Sequence, residues 1–431
     1  MDGSNEKKPV LIIGGGFSGV SAAIEIMESS EKSVVIVEKN PYIGGRVLQM
    51  YKYFPKLCPP FCGFEINLRR IKLNEYGRIR FITSSEIEDI RKEDGSYKVK
   101  VRRKPQYIND NCTICGDCVD ACPETRLNDF NYDMDSQKAI YLPNFFAYPA
   151  KYVIDDEACK LISCKKCMTV CRYDAINLEA KEEFYNLDVE SVILATGWRP
   201  YDANNLTKLG FGRYKNVITN VMMERLSADS GPTGGEIIRP SDNKTVNRIA
   251  FVQCAGSRDE NHLPYCSSIC CMASLKQALY VREKNPDSEA SIFYIDLRTP
   301  GKYEKFLNRA SSDEKIKLIK GKVANITEES SSGDLILEVE DMLSSKKVKF
   351  KAEMVVLATG MVPNAPSNLK TGSLKLSFDE NGFLFFQDGN EGIFSAGVAK
   401  NPMDVNQSIQ SATAGALSVL QYSFNKRGQN G

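Results

Sequence analysis

Histidine is almost absent from this sequence, and its scarcity excludes several kinds of active site. The 431 residues include a single histidine, His262, so we expect neither haem nor a metal site built from several histidines. Charge of one sign is not in excess either. Lysine and arginine (56) nearly balance aspartate and glutamate (55), for a formal charge of +1, so no nucleic acid or other polyelectrolyte partner is indicated.

Long apolar segments are also missing. No run of apolar residues is long enough to span a bilayer, and the polar start, MDGSNEKK, lacks the apolar region of a signal peptide. We therefore expect a soluble chain with any membrane contact made through a partner. Its length and 42% hydrophobic content predict two or three domains with sizeable cores.

The N-terminal stretch predicts a dinucleotide-binding unit. Gly14, Gly16 and Gly19 follow a short apolar strand and open a helix, and a second apolar strand ends at Glu38. The first glycine permits a tight turn, the second lets the backbone approach a pyrophosphate, and the third lets helix and strand pack closely. The helix N-terminus offers N–H groups to the phosphates, and the Glu38 carboxylate can accept hydrogen bonds from ribose hydroxyls.

An internal duplication follows this unit. Each half runs from a strand and helix through a region of alternating strands, first at 77–104, to an Ala-Thr-Gly segment, at 195–197 and again at 358–360. No second GxGxxG pattern occurs after Gly19. A cysteine-rich block from about 108 to 181 interrupts the first half, and we interpret it as an insertion into a loop.

Cysteine is abundant, and the absence of a signal peptide favours metal or redox ligands over a disulfide framework for the 14 cysteines. Two runs in the insertion have the spacing of two-cluster ferredoxins, in which the fourth cysteine of each run ligates the other cluster. Thiolates suit this role because iron–sulfur clusters take soft ligands. We assign one four-iron cluster to Cys112, Cys115, Cys118 and Cys171, and the other to Cys159, Cys164, Cys167 and Cys122.

The second run departs from the ferredoxin pattern in two ways. Four residues separate Cys159 from Cys164, and Arg172 stands where a proline is usual. The longer spacing leaves open whether Cys159 or another group is the ligand. Zinc ribbons are the alternative to iron–sulfur clusters for both runs.

Six cysteines lie outside the insertion. Four of them, Cys254, Cys266, Cys270 and Cys271, follow the strand RIAFVQ in the second half, where a nicotinamide-binding domain would need a glycine loop. Buried structural cysteines are the alternative. The last two, Cys58 and Cys62, have a spacing unlike that of CxxC thiol oxidoreductases, and they could be a redox pair, a partner-facing site or part of a rigid turn.

The sequence resembles known flavoproteins at these motifs. Glu38 followed by GGR resembles the FAD-binding half of proteins with two dinucleotide-binding domains, and the duplication resembles thioredoxin-reductase-like flavoproteins. The resemblance implies that FAD contacts extend to Lys39, Gly44, Gly45, Arg46, Ile87, Thr196, Gly197 and Gly397. The segment from Ser395 to Val398 lacks the aspartate that is usual after the last glycine, so the ribityl contact must come from elsewhere.

The motif VQCAGSRDENHLPYCSSICC closely resembles the flavin-bearing A subunits of heterodisulfide reductases. That resemblance implies a third [4Fe–4S] cluster on Cys254, Cys266, Cys270 and Cys271. Together with YFPKLCPPFCG, ATGWRPYD and FYIDLRTPG, it extends over nearly the whole chain. The sequence is most similar to the A subunit of the quinone-interacting membrane-bound oxidoreductase of sulfate reducers.

This resemblance implies an oxidoreductase subunit that passes electrons between FAD and iron–sulfur clusters. It would link a membrane partner reacting with menaquinone to cytoplasmic adenylylsulfate reductase, and would itself be cytoplasmic, peripheral to the inner membrane through other subunits. No catalytic base or nucleophile is predicted. The alternatives are the A subunit of a sulfur-oxidising heterodisulfide-reductase-like complex, a self-sufficient NAD(P)H-dependent disulfide reductase using Cys58 and Cys62, and a cluster-bearing scaffold without turnover.

The predicted fold is α/β, with two Rossmann-like dinucleotide-binding halves and an inserted ferredoxin domain. The predicted domains are 1–107 (FAD-binding, first part), 108–181 (ferredoxin-like insert), 182–246 (FAD-binding continued and connection), 247–365 (second Rossmann-like domain) and 366–431 (return to the FAD-binding domain).

Overall fold

A computed structural model describes residues 8–73, 77–364, 374, 376–385 and 391–429. Most of the polar N-terminal segment and parts of the predicted last domain lie outside these described residues. The helices are α1 (Phe17–Ser29), α2 (Pro60–Lys72), α3 (Asp117–Asp120), α4 (Lys166–Val170), α5 (Asn220–Ser227), α6 (Cys270–Lys284), α7 (Glu304–Ser311) and α8 (Val405–Gln429). In these residues no helix is both long and apolar enough to cross a membrane.

The strands of the described residues form six sheets, and several sheets combine strands from distant parts of the chain. The strands of the first half and its insert are β1 (Val10–Ile13), β2 (Val34–Val37), β3 (Ile79–Ile82), β4 (Ser85–Glu93), β5 (Ser96–Arg103), β6 (Thr125–Leu127), β7 (Ser136–Lys138), β8 (Ile140–Tyr141), β9 (Val153–Ile154), β10 (Glu183–Val189), β11 (Ser191–Leu194) and β12 (Trp198–Pro200). The remaining strands are β13 (Val217–Thr219), β14 (Arg248–Ala255), β15 (Glu289–Tyr294), β16 (Ile316–Glu328), β17 (Leu335–Asp341), β18 (Lys346–Ala352), β19 (Met354–Thr359), β20 (Met361–Pro363) and β21 (Ile393–Ser395).

A parallel sheet with strand order β21-β11-β1-β2-β3 forms the centre of the first half. Its inner strands, β11, β1 and β2, are buried at every position and almost entirely apolar, because both faces of the sheet are covered. On β1, Leu11 packs toward the antiparallel sheet of β4, β5 and β10, whereas Ile12 packs toward α1 and α8. The first glycine loop therefore leaves the middle strand of the sheet, which is buried along its whole length.

The second half contains a seven-stranded sheet in the order β13-β19-β14-β15-β16-β17-β18. The five neighbouring strands β13, β19, β14, β15 and β16 are parallel. From β16 the sheet continues through β17 and β18 as an antiparallel meander. Residues Leu275 of α6 and Phe251 of β14 share one core on a face of this sheet. The predicted domain boundaries stay a prediction; β13, which they assign to the connection, pairs with β19.

The two Ala-Thr-Gly segments meet in space. The strands that follow them, β12 and β20, pair in antiparallel fashion, with Trp198 opposite Pro363 and Pro200 opposite Met361. The internal repeat in the sequence therefore places the two connections between the halves side by side.

The cysteine-rich insertion forms a small unit between β5 and β10. It contains the hairpins β6–β7 and β8–β9 and the short helices α3 and α4. Its core combines apolar residues, such as Ile108 and Ile140, with the buried cysteines Cys118, Cys122 and Cys167. The cysteine side chains therefore form part of the core of the insert, together with its few buried apolar residues.

Several element boundaries differ from the sequence prediction. Residues 77–104 were predicted as one region of alternating strands, but they divide between β3 of the parallel sheet and β4 and β5 of the antiparallel sheet. Ser84 adopts a left-handed backbone (φ +53°) at the division, which turns the chain from one sheet to the other. The region before 247, interpreted as a connection, also contains helix α5.

Candidate dinucleotide site and cysteine clusters

The three glycines of the first loop are required for different reasons. Gly14 has φ +108°, and a Cβ there would lie 2.3 Å from the carbonyl oxygen of Ala195. A Cβ on Gly19 would lie 1.9 Å from the carbonyl oxygen of Gly14. A Cβ on Gly16 would meet nothing closer than the Cα of Gly45, at 3.9 Å. Packing therefore demands the outer two glycines, while Gly16 leaves open space at the N-terminus of α1, where a pyrophosphate would lie.

Glu38 is buried beside this loop and holds it in shape. Its Oε2 accepts a hydrogen bond from the Gly15 N–H at 2.6 Å, and its Oε1 accepts one from the Asn40 N–H at 2.8 Å. Burial raises the pKa of Glu38, and these backbone hydrogen bonds oppose the rise. Each carboxylate oxygen can accept a further hydrogen bond, so Glu38 can bind a ribose hydroxyl while it holds the loop.

The second glycine loop runs alongside the first. The Gly44 N–H donates to the Gly15 carbonyl at 2.7 Å, and both Gly44 and Gly45 have left-handed backbones. The Nε of Arg46 donates to the Trp198 carbonyl at 2.6 Å, and its guanidinium lies 5.6 Å from the centre of the Trp198 ring. The two loops therefore lie side by side, and the Arg46 side chain attaches the second loop to Trp198.

The other predicted cofactor residues occupy different environments. Lys39 is exposed, and its Nζ lies 3.3 Å from a carboxylate oxygen of Glu86. Ile87 is buried in the core shared by the parallel sheet and the meander. Neither arrangement by itself points to a cofactor.

The residues that close the site from the C-terminal ends of β11 and β21 are Thr196, Gly197 and Gly397. The Oγ1 of Thr196 is buried and has no hydrogen-bond partner in the described part of the chain. Gly397 has φ +68°, and a Cβ there would lie 2.1 Å from the Oγ of Ser18. A buried hydroxyl without a partner suits a ligand that supplies one, so the residues present fit a dinucleotide.

Each of two cavities in the insertion is lined by four cysteines. One is lined by Cys122, Cys159, Cys164 and Cys167, and the other by Cys112, Cys115, Cys118 and Cys171. The two cavities are similar in size, and both are partly open to solvent. Each takes three cysteines from one run and the fourth from the other run, the crossed arrangement of two-cluster ferredoxins.

The thiols of these cavities are strongly affected by burial. Burial, together with the nearby Cys112 and Cys115, raises the pKa of Cys118 to about 12. Burial likewise raises the pKa of Cys167 to about 11, with Cys159 and Cys122 adding to the effect. Such thiols lose their protons when a metal centre binds, so the donor set fits iron–sulfur clusters. Within the described residues, no three cysteine, histidine or acidic side chains are arranged to hold a single metal ion.

The third cysteine group lies at the C-terminal end of β14 and the N-terminus of α6. Cys254 adopts a left-handed backbone (φ +55°) near the end of β14, and Cys270 and Cys271 begin α6. Burial raises the pKa of Cys270 well above its usual value, and Cys254, Cys271 and Cys266 raise it further. All four cysteines therefore lie at the C-terminal end of β14, in the loop that follows it or at the start of α6, which is the place where a Rossmann unit binds its pyrophosphate.

Charged groups surround this third group. The Arg258 guanidinium lies 2.8 Å from Asp296 and acts on the sulfur of Cys254. Burial raises the pKa of Cys254, and Arg258 and Arg298 oppose that rise. The Sγ of Cys271 lies 3.6 Å from the Asp296 carbonyl oxygen. Arg258 stands in the predicted cysteine motif, four residues after Cys254, whereas no sequence pattern indicated Arg298.

The remaining pair, Cys58 and Cys62, lies at the start of α2. Cys62 is exposed and Cys58 is half-buried. The Tyr53 N–H donates to the Cys58 carbonyl at 3.0 Å. Burial raises the pKa of the Tyr53 hydroxyl, and the two cysteines raise it further, which places both of them near that hydroxyl.

A buried polar network around α5 connects the first half, the cysteine-rich insert and the second half. No sequence motif indicates this network. Glu224 accepts from the Gln277 side chain at 2.6 Å, the Lys276 Nζ at 2.9 Å and the Tyr51 N–H at 3.1 Å. The next residue, Arg225, donates to Asn131 of the insert at 2.7 Å. These partners are 52 to 173 residues distant along the chain from the residue that they contact, Glu224 or Arg225, beyond the reach of any local pattern.

Comparison with known proteins agrees with this geometry. A family model described as an NAD(P)-binding Rossmann-like domain matches residues 12–50. The A subunit of the H2:CoB–CoM heterodisulfide, ferredoxin reductase of Methanothermobacter thermautotrophicus is 36% identical over 419 residues, which cover 94% of this chain and 62% of that protein. The chain is homologous to the A subunits of heterodisulfide reductases.

A second relative supports the same homology. The iron-sulfur A subunit of the CoB–CoM heterodisulfide reductase of Methanocaldococcus jannaschii is 37% identical over 427 residues, covering 96% of this chain and 64% of that protein. This A-subunit homologue therefore spans a little under two thirds of the length of these relatives. The resemblance to heterodisulfide reductase A subunits that was predicted from the cysteine motifs is confirmed.

Solved structures show the fold. The thioredoxin reductase of T. acidophilum matches with a TM-score of 0.53 and 14% identity, covering 97% of this chain and all of that one. The thioredoxin reductase of Lactococcus lactis matches with a TM-score of 0.52 and 13% identity, again over 97% of this chain and all of the other. The predicted thioredoxin-reductase-like α/β fold is confirmed.

Proposed function

We propose that this A-subunit homologue is an electron-transfer oxidoreductase component that carries FAD and three [4Fe–4S] clusters within a heterodisulfide-reductase-like complex. The observation that carries the proposal is the pair of cavities, each lined by four cysteines drawn from both ferredoxin runs. The name of the Methanocaldococcus relative, an iron-sulfur protein of such a reductase, supports it.

The two glycine loops would hold the flavin dinucleotide. Gly16 leaves room for the pyrophosphate, Glu38 can accept from ribose, and the buried Thr196 hydroxyl has no partner among the described residues. When bound, FAD exchanges electron pairs whereas each cluster passes single electrons, so the combination converts one into the other. The work of the chain is to bind these groups, orient them and exclude water.

The third cysteine group argues against direct use of a nicotinamide cofactor. A nicotinamide site on the second sheet would need a glycine loop after β14, where backbone N–H groups could reach a pyrophosphate. Cys254 stands in that stretch, and Cys270 and Cys271 begin the helix that would have bound the phosphates. This arrangement disfavours the alternative of a self-sufficient NAD(P)H-dependent disulfide reductase using Cys58 and Cys62.

The finer assignment rests on sequence resemblance alone. We propose that the chain links a menaquinone-reactive membrane partner with adenylylsulfate reductase, and that it lies in the cytoplasm, held at the inner membrane by other subunits. The alternative is the A subunit of a sulfur-oxidising heterodisulfide-reductase-like complex. Affinity purification from native membranes separates the two, because adenylylsulfate reductase and quinone-reactive subunits are expected in the first case and sulfur-oxidising enzymes in the second.

The cofactor assignment is tested by anaerobic purification of the full chain. We expect about one FAD and about twelve irons per chain, in three four-iron clusters. Dithionite should bleach the flavin absorbance, and millimolar NADH should leave it unchanged over minutes. An iron content near eight would remove the cluster on the third cysteine group. Zinc in place of iron, or rapid bleaching by NADH, would contradict the proposal.

A further inference from the structure

The spacer between the two ferredoxin runs packs against the second glycine loop. A turn of 3₁₀ helix, Asp129–Asn131, lies in this spacer, and Tyr132 follows it. The Phe130 carbonyl accepts a hydrogen bond from Nε2 of Gln49 at 3.3 Å, and the Tyr132 hydroxyl donates to Oε1 of the same side chain at 3.2 Å. Gln49 ends the 3₁₀ turn Gly45–Gln49, which continues the glycine loop. The insert is therefore bonded directly to the segment that is expected to bind the dinucleotide.

The Tyr132 hydroxyl also binds Arg46. Nη1 of Arg46 donates to it at 3.3 Å, while Nε of the same guanidinium donates to the Trp198 carbonyl at 2.6 Å. Burial raises the pKa of the Tyr132 hydroxyl, and Arg46 and Arg225 oppose that rise. The hydroxyl is neutral near pH 7, so it can donate to Gln49 and accept from Arg46 at the same time.

Tyr132 holds this position with a strained backbone. Its φ is +53°, and Asp133 follows with φ +61°. Residues other than glycine rarely adopt this left-handed conformation, and bulky residues adopt it least. The Nε of Arg225 donates to Asn131 at 2.7 Å, and the Arg225 guanidinium lies 4.7 Å from the centre of the Phe130 ring. Contacts of the two preceding residues therefore hold Tyr132 in this conformation.

Arg46 is half-buried and has no acidic partner among the residues that the structure describes. Its two hydrogen bonds go to uncharged groups, the Trp198 carbonyl and the Tyr132 hydroxyl. These bonds use two of the five N–H donors of a guanidinium. The positive charge and the other donors are therefore available to a ligand.

The strand order places Arg46 on the flavin side of the dinucleotide site. In the parallel sheet β1 lies between β2 and β11. Glu38, the expected partner of the adenosine ribose, follows β2, and Gly16, at the expected pyrophosphate position, follows β1. Trp198, which binds Arg46, comes after β11 on the opposite side. A dinucleotide that crosses these strand ends in order therefore has its flavin half beside Arg46.

We propose that Tyr132 of the insert is a positioning residue of the flavin site, which holds the Arg46 guanidinium beside the flavin half of the bound dinucleotide. The inference rests on the proposed function, because it requires FAD at the glycine loops. A positive charge near the flavin ring favours its reduced form, because reduction adds negative charge to the ring. The insert then sets part of the redox potential of the flavin, in addition to carrying cysteine ligands.

Redox titration of the flavin in the cofactor-loaded full chain tests this inference. Tyr132→Phe keeps the ring and removes the hydroxyl, so Arg46 loses one of its two hydrogen-bond partners. We expect the preference for reduced over oxidised FAD to fall roughly ten-fold, which lowers the two-electron midpoint potential by about 30 mV. The matched control is Tyr185→Phe on β10, which removes another hydroxyl that lies 3.3 Å from an arginine Nη1, that of Arg103. This control should leave the potential unchanged.

A double variant shows whether Tyr132 acts through Arg46. Arg46→Met removes the cation and should lower the potential by more than Tyr132→Phe does. Adding Tyr132→Phe to Arg46→Met should then have no further effect, because the group that Tyr132 positions is gone. Equal shifts caused by Tyr132→Phe in both backgrounds would show that the hydroxyl acts in another way, and would overturn the inference.

The outcomes separate this inference from the proposed function. Iron and flavin are measured on every sample. Iron at about twelve per chain with equal potentials in Tyr132→Phe and the unmodified chain overturns the inference alone, whereas an unmodified chain that does not bind FAD contradicts both. If Tyr132→Phe loses iron or flavin, Arg46→Lys takes its place, since lysine keeps the charge but lacks the fork that binds Trp198 and Tyr132 together. Its potential should also fall, and an unchanged value overturns the inference.

Discussion

Substitution of Gly16 by alanine tests whether this glycine is needed for ligand binding and not for folding. Gly16 caps α1 with φ −73° and ψ −175°, a backbone that alanine adopts without strain. Its added methyl group would have no neighbour within 3.9 Å in the protein. The apoprotein should therefore fold normally, with a loss of at most about 1 kcal/mol because alanine caps a helix less well than glycine.

FAD binding should suffer much more than folding. The methyl group fills the space through which the loop is expected to approach the pyrophosphate, and an extra carbon in a tightly packed contact costs roughly 1–3 kcal/mol. That range corresponds to about a five- to 150-fold increase in Kd. The measurement is titration of anaerobic apoprotein with FAD, followed by flavin fluorescence, with urea unfolding of the apoprotein alongside.

Two other glycines are the controls for this experiment. Gly63 lies inside α2, and a Cβ there would make an ordinary contact at 3.7 Å with the Tyr53 hydroxyl, so Gly63→Ala should leave FAD affinity unchanged. Gly14→Ala should destabilise the apoprotein itself, because its Cβ would overlap the Ala195 carbonyl. An unchanged FAD Kd in Gly16→Ala, with folding intact, would refute the placement of the pyrophosphate at this loop.

The other predictions concern the clusters, the buried network and the nicotinamide cofactors. Cys270→Ser should lower iron from about twelve to about eight per chain and keep the coupled paramagnetic signals of the ferredoxin pair; their loss would show that the cysteine groups are wrongly divided. Lys276→Met removes a cation 2.9 Å from buried Glu224 and should cost about 3 kcal/mol in urea unfolding, whereas an unchanged midpoint would contradict the role of this pair. NADPH, like NADH, should fail to bleach the flavin, and rapid bleaching would support a disulfide reductase.

Local patterns allowed much of the fold and of the candidate sites to be predicted. The glycine loop could be recognised because strand, turn and helix follow one another within ten residues, and each glycine has a short-range steric role. The ferredoxin runs could be recognised because three cysteines of each set are brought together by a single stretch of backbone. The fourth cysteine could be assigned because two runs in tandem imply the crossed arrangement.

Other features depend on contacts between distant segments and could not be predicted in this way. Ser84 turns the chain between two sheets, although the alternation of apolar residues continues across it. Glu224 and Arg225 look like surface charges of a short helix, yet both are buried among partners from three parts of the chain. Arg46, predicted as a cofactor contact, also fixes the loop to Trp198.

The sequence by itself determined the chemistry available to this protein: a dinucleotide loop, cysteine ligands in ferredoxin spacing, and no glycine loop in the second half. Tertiary structure decided where that chemistry lies. It brought four cysteines around each of two cavities, left Gly16 open where Gly14 and Gly19 are packed, and exposed Lys165 and Lys166 beside one cavity. The physical reason is that residue type and short spacing set which groups can bind, whereas burial, open space and the direction of a surface arise only when distant segments pack together.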